Sequence, residues 1–279
     1  MPAPLDADRL RAAACAPGGG WARLDVVART GSTNADLLAG ARDPVGAPDR
    51  TVLAAEHQES GRGRRTRLWE ARPSEGLTVS MLLRPREVPP PARGWAPLLA
   101  GLALVGAVAE VGSLDVDAAL KWPNDLLLGP ERRKGAGILV EADGAAPDSC
   151  LVVGIGLNVT TPRSALPEGA TSLAAELPPA HPPPDRTALL AALLAHLAAL
   201  DDHWRAARGD VVAAGLHARY REHCATLGQR VRVLLPGDRV LEGLASDVDP
   251  TGRLLVRDDR GDTTVVSAGD VVHVRPSPG

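Results

Sequence analysis

The sequence predicts an α+β fold in two parts: a larger part over residues 1–225 that combines strands and helices, and a small all-β part over 226–279. Apolar strand patterns alternate with helical patterns up to a second helix expected near residues 211–224. From Leu227 onward, five short alternating strands are separated by turn sequences. This second pattern is typical of a small barrel.

Length and composition allow such a fold and exclude several classes of function. The chain has 279 residues, of which 44% are hydrophobic and 23% charged, as in an ordinary globular enzyme. Its net charge of −3 disfavours general nucleic-acid binding. Three widely spaced cysteines in no metal-ligand pattern suit a reducing compartment. There is no signal segment, and the most apolar run, residues 98–111, is too short to span a bilayer, so we expect a cytoplasmic protein.

Periodicity and turn residues place the elements of the larger part. Thr33 and Asp36 match a capping box, so a helix is expected to open at residues 31–34 and to end near Arg42. The expected strands cover 21–28, 51–55, 77–83, 126–128, 137–142 and 150–158, and a long buried helix covers 98–111. After Pro162 the chain is expected to be a loop up to Asp185, which can cap a helix running to about Arg208.

The densest run of charge lies between the strands at 51–55 and 77–83. Residues 61–67 contain four arginines and two glycines, with Gln58 before them and Trp69 after them. Glycine lets the backbone approach a ligand, while guanidinium groups hold phosphate or carboxylate oxygens in pairs. An exposed structural loop is the alternative, but the position between two apolar strands favours an anion site. We name residues 56–69 the arginine loop.

A second cationic motif, K-W-P-N-D at residues 121–125, ends another strand. A lysine at the end of a core strand costs free energy unless it has an anionic partner, so we predict a ligand role for Lys121 rather than an extended side chain reaching solvent. Asn124 and Asp125 are candidates to bind a metal or a ribose.

Other polar and glycine positions keep two interpretations. Ser32 and Thr33 either cap a helix or hold a polar ligand group at its N-terminus. Gly135 and Gly137 either end a turn or admit a ligand against the backbone. Asn158 either ends a strand or binds a purine edge. The seven histidines are scattered, in no catalytic or zinc-binding spacing.

Six motifs in one order resemble the biotin–protein ligase family, also called biotin–acetyl-CoA-carboxylase ligase. They are S-T-N at 32–34, Q-x-x-G-R-G-R-R at 58–65, Trp69, K-W-P-N-D at 121–125, G-I-L-V-E at 137–141 and G-I-G-L-N at 154–158. The resemblance implies a mixed sheet with flanking helices, related to class II aminoacyl-tRNA synthetases, followed by an SH3-like barrel. It also implies ATP-dependent activation of biotin as biotinyl-5′-AMP, with Mg²⁺, and transfer to a lysine of a carboxylase's biotin carboxyl carrier domain.

By this resemblance each motif receives a role. Arg64 and Lys121 are the expected catalytic residues. The expected biotin-binding residues are Ser32, Thr33, Asn34, Gln58, Gly61, Arg62, Gly63, Arg64, Lys121, Gly135 and Gly137. The expected adenylate-binding residues are Arg64, Arg65, Arg67, Trp69, Lys121, Asn124 and Asn158. Asp125 is the candidate metal ligand, and the arginine loop is expected to close over the adenylate.

Some features depart from the family pattern, and other functions remain open. Only about thirty residues precede Ser32, so a DNA-binding helix-turn-helix domain is not expected. Thr66 and residues 70–72 differ from the usual family residues, which puts details of loop closure in doubt. A lipoate-type ligase of the same fold is the nearest alternative function, and a nucleic-acid-binding module is a more distant one. The sequence leaves monomer and homodimer open.

Overall fold

The larger part of the chain is built on a seven-stranded mixed sheet. A computed structural model describes residues 2–64, 67–111, 116–144, 149–235, 239–267 and 270–273. The strands lie in the order β1-β2-β3-β7-β6-β5-β4, with β1 and β2 parallel and the other pairs antiparallel. They span Arg23–Val27 (β1), Thr51–Ala55 (β2), Gly76–Leu83 (β3), Ala118–Lys121 (β4), Asp125–Leu128 (β5), Arg133–Asp143 (β6) and Cys150–Asn158 (β7). The predicted mixed sheet is confirmed.

Helices cover both faces of this sheet. They span Ala7–Ala14 (α1), Thr33–Gly40 (α2), Ala96–Glu110 (α3), Leu173–Glu176 (α4), Arg186–Ala206 (α5) and Leu216–His223 (α6). The central strands β3 and β7 are buried along their whole length, which explains their nearly continuous apolar sequence. Successive side chains point to opposite faces, so Val79 and Val153 join the main core while Leu82 and Val152 pack with α2.

The apolar helix α3 packs against α5 at the centre of the fold. Together with the preceding 3₁₀ helix Pro90–Trp95 it forms a segment, Pro90–Glu110, long and apolar enough to cross a membrane. The run at residues 98–111 is shorter than this segment, which also takes in residues 90–97. However, 72% of its most apolar window is buried inside the fold, as in the core helix of a globular domain.

The chain after α6 forms a second, five-stranded antiparallel sheet in the order β11-β10-β9-β8-β12. Its strands span Arg230–Leu234 (β8), Val240–Val248 (β9), Leu254–Arg257 (β10), Thr263–Val266 (β11) and Asp270–His273 (β12). Trp122 Nε1 donates to the Gly252 carbonyl at 2.9 Å, and His217 Nε2 lies 2.6 Å from the Val248 carbonyl. These contacts fix the small sheet against the end of β4. The turn expected at residues 236–238 lies outside the described residues.

Three local predictions were wrong. Helix α2 is capped by Ser32, whose hydroxyl accepts from Ala35 N, and not by a Thr33–Asp36 box; Asp36 instead accepts a hydrogen bond from Thr30. The segment after Pro162 contains α4 and a 3₁₀ helix at Arg163–Ala165. The helix expected from 211 begins only at Leu216, because Gly215 has a φ of 70°, a conformation that favours glycine and interrupts a helix.

Candidate functional site

A cavity of about 300 Å³ lies on the α2 side of the large sheet, beneath the arginine loop. The structure brings most of the predicted site residues together in its wall: Ser32, Thr33, Asn34, Gln58, Arg62, Gly63, Arg64, Arg67, Trp69, Lys121, Asn124, Asp125 and Gly137. Residues of the small sheet, Leu234 and Val271, also line it. Segments far apart in sequence therefore converge on one site.

One end of the cavity is neutral and polar. Gln58 Oε1 accepts a hydrogen bond from Thr33 N at 2.8 Å and lies 3.0 Å from Thr33 Oγ1. The Thr33 side chain continues this contact to Ser80 on β3, at 2.7 Å. All of Ser32, Thr33 and Ser80 are at most 5% exposed. This end can hold a neutral polar group through hydrogen bonds, and we name it the ring end.

The arginine loop closes on itself above the cavity. Trp69 N donates to the Gly61 carbonyl at 2.9 Å, and Gly63 N donates to the Arg67 carbonyl at 2.7 Å. Arg64 Nη1 donates to Asn124 Oδ1 at 3.1 Å, which joins the loop to the β4–β5 turn. Arg65 and Thr66 lie outside the described residues, so the role of Arg65 and the effect of Thr66 stay predictions.

Trp69 packs flat against two strands because both carry glycine there. A Cβ atom at Gly156 would lie 2.2 Å from Trp69 Nε1, and one at Gly137 would lie 3.2 Å from Trp69 Cζ3. Among the described residues, Nε1 is buried and has no hydrogen-bond partner. The Trp69 ring is thereby held at the cavity wall, and its Nε1–H remains an unsatisfied hydrogen-bond donor.

The opposite end of the cavity is cationic. Lys121 pairs with Asp125 in the β4–β5 hairpin. Lys134 Nζ lies 2.6 Å from Asp125 Oδ1 and 5.8 Å from the centroid of the Trp69 ring. We name Lys121, Lys134, Arg64 and Arg67 the cationic end. It attracts anions, and the Asp125 carboxylate that holds Lys134 is a group that a phosphate can replace.

Lys134 is a site residue that sequence reasoning missed. It lies between the expected strands 126–128 and 137–142 and was given no role, whereas the structure places it at the start of β6, where this strand enters the cavity. A second lysine close behind the K-W-P-N-D motif was the signal that could have identified it. Ser80 on β3 and Glu141 on β6 were missed too.

Three predicted ligand contacts lie outside the lining of this cavity. A Cβ atom at Gly61 would lie 2.2 Å from the Trp69 carbonyl oxygen, and one at Gly135 would lie 2.3 Å from Leu128 Cδ1. Close packing with neighbouring protein atoms therefore explains the glycine at both positions. Asn158 is 5% exposed, and its Nδ2 donates to the Thr171 carbonyl at 3.0 Å. It lies on a neighbouring cavity that shares Trp69 and Lys134.

The base of the arginine loop is fixed by a buried ion pair. Arg186 Nη2 lies 2.7 Å from Glu56 Oε2, and Leu5 N donates to Glu56 Oε1 at 2.5 Å. Burial acts to raise the pKa of Glu56, but the hydrogen bonds from Leu5 and Arg186 outweigh it and hold the pKa below its ordinary value. The loop therefore starts from a rigid anchor.

Comparison with known proteins connects this geometry to a family. The model of the Biotin/lipoate A/B protein ligase family matches residues 26–158, and that of the Biotin protein ligase C terminal domain matches residues 226–274. The chain is 45% identical over 273 residues to the biotin–[acetyl-CoA-carboxylase] ligase of Mycobacterium tuberculosis, covering 98% of this chain and 97% of that relative. The chain belongs to the biotin protein ligase family.

More distant relatives agree with this membership. The bifunctional ligase/repressor BirA of Escherichia coli is 32% identical over 250 residues, which cover 87% of this chain and 70% of BirA. The solved biotin protein ligase from Aquifex aeolicus in complex with biotin and ATP superposes with a TM-score of 0.71 at 25% identity, covering 92% of this chain and all of that one. The predicted family and ligase class are thus confirmed.

Proposed function

We propose that the cavity binds biotin with its ureido ring at the ring end and its carboxylate at the cationic end, where it meets ATP. As a biotin protein ligase, the chain activates biotin as biotinyl-5′-AMP and transfers it to a lysine of a carrier domain of a carboxylase. One observation carries the placement: a single cavity is neutral and polar around Thr33 and Gln58, and cationic around Lys121 and Lys134. Biotin has the same division, a neutral ring and an anionic tail.

In the first step, a carboxylate oxygen of biotin attacks the α-phosphorus of ATP. The carboxylate oxygen and the α-phosphorus form the bond of a mixed anhydride, the bond from the α-phosphorus to the oxygen bridging to the β-phosphorus breaks, and pyrophosphate leaves. Both reactants are anions, so cations placed between them lower the barrier. Arg64 and Lys121 are the proposed catalytic residues, and Lys134 joins them because its ammonium lines the same wall.

In the second step, the amine of the acceptor lysine attacks the carbonyl carbon of the mixed anhydride. The amide bond forms, the amine gives up a proton, and AMP leaves with the electron pair of the broken carbon–oxygen bond. The anhydride hydrolyses readily, so the arginine loop is proposed to exclude water until the carrier arrives. The remaining residue roles stay as predicted, with Arg62, Gly63 and Gly137 on biotin and Arg65, Arg67, Trp69, Asn124 and Asn158 on the adenylate.

Mg²⁺ is proposed to act together with ATP. Among the described residues, no group of three His, Cys, Asp or Glu side chains can hold a metal ion. Magnesium in nucleotide sites is commonly held by one or two carboxylates, phosphates and water, and Asp125 fits that arrangement as the single carboxylate. The bound ion would neutralise phosphate charge. The cytoplasmic location and the choice between monomer and homodimer also stay predictions.

Pyrophosphate exchange tests this function. Purified protein is incubated with ATP, labelled pyrophosphate and either biotin or lipoate, and incorporation of label into ATP is measured. We expect exchange with biotin, followed by a mass increase of one biotinyl group on a purified carrier domain. Exchange with lipoate and not with biotin would favour a lipoate-type ligase instead. Exchange with neither acid would refute both.

A further inference from the structure

Behind the ring end, a chain of buried polar side chains runs across the large sheet to Glu141 on β6. Thr33 Oγ1 lies 2.7 Å from Ser80 Oγ, which lies 2.6 Å from Asn34 Oδ1. Asn34 Nδ2 in turn lies 2.8 Å from Glu141 Oε2 and 3.2 Å from the Leu139 carbonyl oxygen. Thr33, Ser80 and Asn34 are at most 4% exposed. Because buried polar atoms must be paired, the chain's proton directions are strongly constrained.

The Glu141 end fixes the first of these directions. A carboxylate and a backbone carbonyl both accept hydrogen bonds only, so the Asn34 atom that faces them must be the amide nitrogen. Both amide protons of Asn34 are then used, and its carbonyl oxygen points at Ser80. If the Asn34 amide were reversed, its carbonyl oxygen would face two other acceptors, Glu141 Oε2 and the Leu139 carbonyl oxygen.

The orientation of Asn34 also fixes the donor and the acceptor in the hydrogen bonds nearer the cavity. Asn34 Oδ1 has no proton, so the hydrogen bond to Ser80 uses the single hydroxyl proton of Ser80. Ser80 Oγ can therefore only accept from Thr33. The single proton of Thr33 therefore goes to Ser80 Oγ and stays within the protein, while Gln58 Oε1 accepts from Thr33 N. The remaining lone pairs of the Thr33 and Ser80 hydroxyls can only accept hydrogen bonds.

We propose that Glu141 is a positioning residue that sets the hydrogen-bond polarity of the ring end through Asn34 and Ser80. At the Thr33 and Ser80 hydroxyls the site thereby accepts N–H donors, and it disfavours a ligand that presents an acceptor to these two groups, since two facing acceptors would remain unpaired. A cyclic urea supplies two such N–H donors. The proposal rests on the proposed function for its ligand, biotin. It also changes the role of Asn34, whose amide protons serve the chain and not the ligand.

One feature of the fold supports this role, and another offers a competing one. A Cβ atom at Gly154 would lie 2.1 Å from Asn34 Oδ1, so strand β7 leaves space for the Asn34 amide. Glu141 is reachable from outside, with its side chain 27% exposed and its Oε1 3.6 Å from Arg62 Nη1. The second contact offers a different route, in which Glu141 acts by holding the arginine loop through Arg62. The experiment must separate these two routes.

A double-mutant cycle with Glu141→Met and Ser80→Ala makes this separation. Biotin affinity is measured by calorimetry without ATP, and the KM of ATP by pyrophosphate exchange. We expect Glu141→Met to weaken biotin binding about tenfold or more, about 1.4 kcal/mol, while the KM of ATP changes less than about twofold. In the Ser80→Ala background the same change should have little further effect, because the chain is already cut.

Asp143→Leu is the matched control, since Asp143 lies two residues further along β6 and pairs at 3.9 Å with the exposed Arg42. It should bind biotin like the wild type, and thermal unfolding of all variants checks the fold. Unchanged biotin affinity in Glu141→Met would refute the proposal. So would additive losses in the double variant, which would point to the Arg62 route. Wild-type protein that binds no biotin would overturn the proposed function itself, and the polarity proposal with it.

Discussion

The ring end and the arginine loop face the same cavity but are built in opposite ways. At the ring end, Ser32, Thr33, Asn34 and Ser80 are at most 5% exposed; Ser32 is hydrogen-bonded within α2, and the other three are hydrogen-bonded to neighbours from separate elements. In the loop, Leu68 is 69% exposed and the Arg62 side chain 54% exposed. The ring end is preorganised when the protein folds, whereas the loop relies on long side chains that a ligand must still order.

This difference follows from where each region lies in the fold. The ring end is formed by the N-terminus of α2 against the buried central strands β3 and β7. The loop is a connection between β2 and β3: the backbone of residues 56–60 bonds to residues 27–31, whereas the described backbone bonds of residues 61–69 join these residues to one another. A mutation at the ring end should therefore change affinity for the neutral ligand, and one in the loop should change the chemistry of anions.

The largest expected effect is on the loop side. Arg64→Ala should lower the rate of biotin-dependent pyrophosphate exchange by about 10²–10³-fold, because it removes a cation beside the developing phosphate charge. Biotin binding without ATP should change far less. Arg42→Ala, which alters an arginine side chain that is 85% exposed just after α2, is the control and should exchange normally. Global unfolding of Arg64→Ala by circular dichroism would show a structural role instead.

Two glycines on β7 test the division more finely. Gly154→Ala places a methyl group 2.1 Å from Asn34 Oδ1, and Gly156→Ala places one 2.2 Å from Trp69 Nε1. We expect Gly154→Ala to raise the biotin Kd about tenfold with a smaller change in the KM of ATP. We expect Gly156→Ala to raise the KM of ATP about tenfold with a smaller change in the biotin Kd. Calorimetry and exchange kinetics give the two values. Equal effects of both variants on both ligands would show that the two ends are not independent.

The smallest effect on activity is expected at the anchor of the loop. Glu56→Gln should cost about 1–3 kcal/mol of unfolding free energy at neutral pH, since it weakens charged hydrogen bonds to Arg186 and Leu5. The folded pKa of Glu56 is lowered, so its contribution is complete above the ordinary value of about 4.3 and is lost as pH falls through the folded pKa. The difference from wild type should therefore vanish in acid.

Urea unfolding across this pH range measures the contribution of Glu56. Glu59→Gln, in which a carboxylate that is 54% exposed beside Arg29 is changed, should leave stability nearly unaltered. A difference between wild type and Glu56→Gln that persists unchanged at the lowest pH would mean that the Glu56 charge is not what anchors the loop.

The sequence was sufficient where local pattern and fold agree. Strands β2 and β7 span Thr51–Ala55 and Cys150–Asn158, the ranges that their apolar runs predicted. Local pattern failed at Ser32 and Thr33, which both suit a helix cap. The structure gives the cap to Ser32, because the Thr33 hydroxyl is engaged by Gln58 and Ser80 from other elements.

Residues with chemical character could be found from the sequence, and supporting residues could not. The arginines and Lys121 stand out by charge in apolar surroundings, so their place at the cavity was predictable. Ser80 looks like any polar residue in the middle of strand β3, and Glu141 like any acidic residue late in a strand. Their significance depends on partners 46 and 107 residues away along the chain.

The sequence by itself determined the elements, the family and the cationic side of the site, because periodicity, turn residues and dense charge are local properties. Only the tertiary structure decided that Lys134 joins Lys121, that β7 glycines make room for Asn34 and Trp69, and that Glu141 directs the protons behind the ring end. Those features depend on distances between strands. A one-dimensional pattern does not contain these distances until the sheet is assembled.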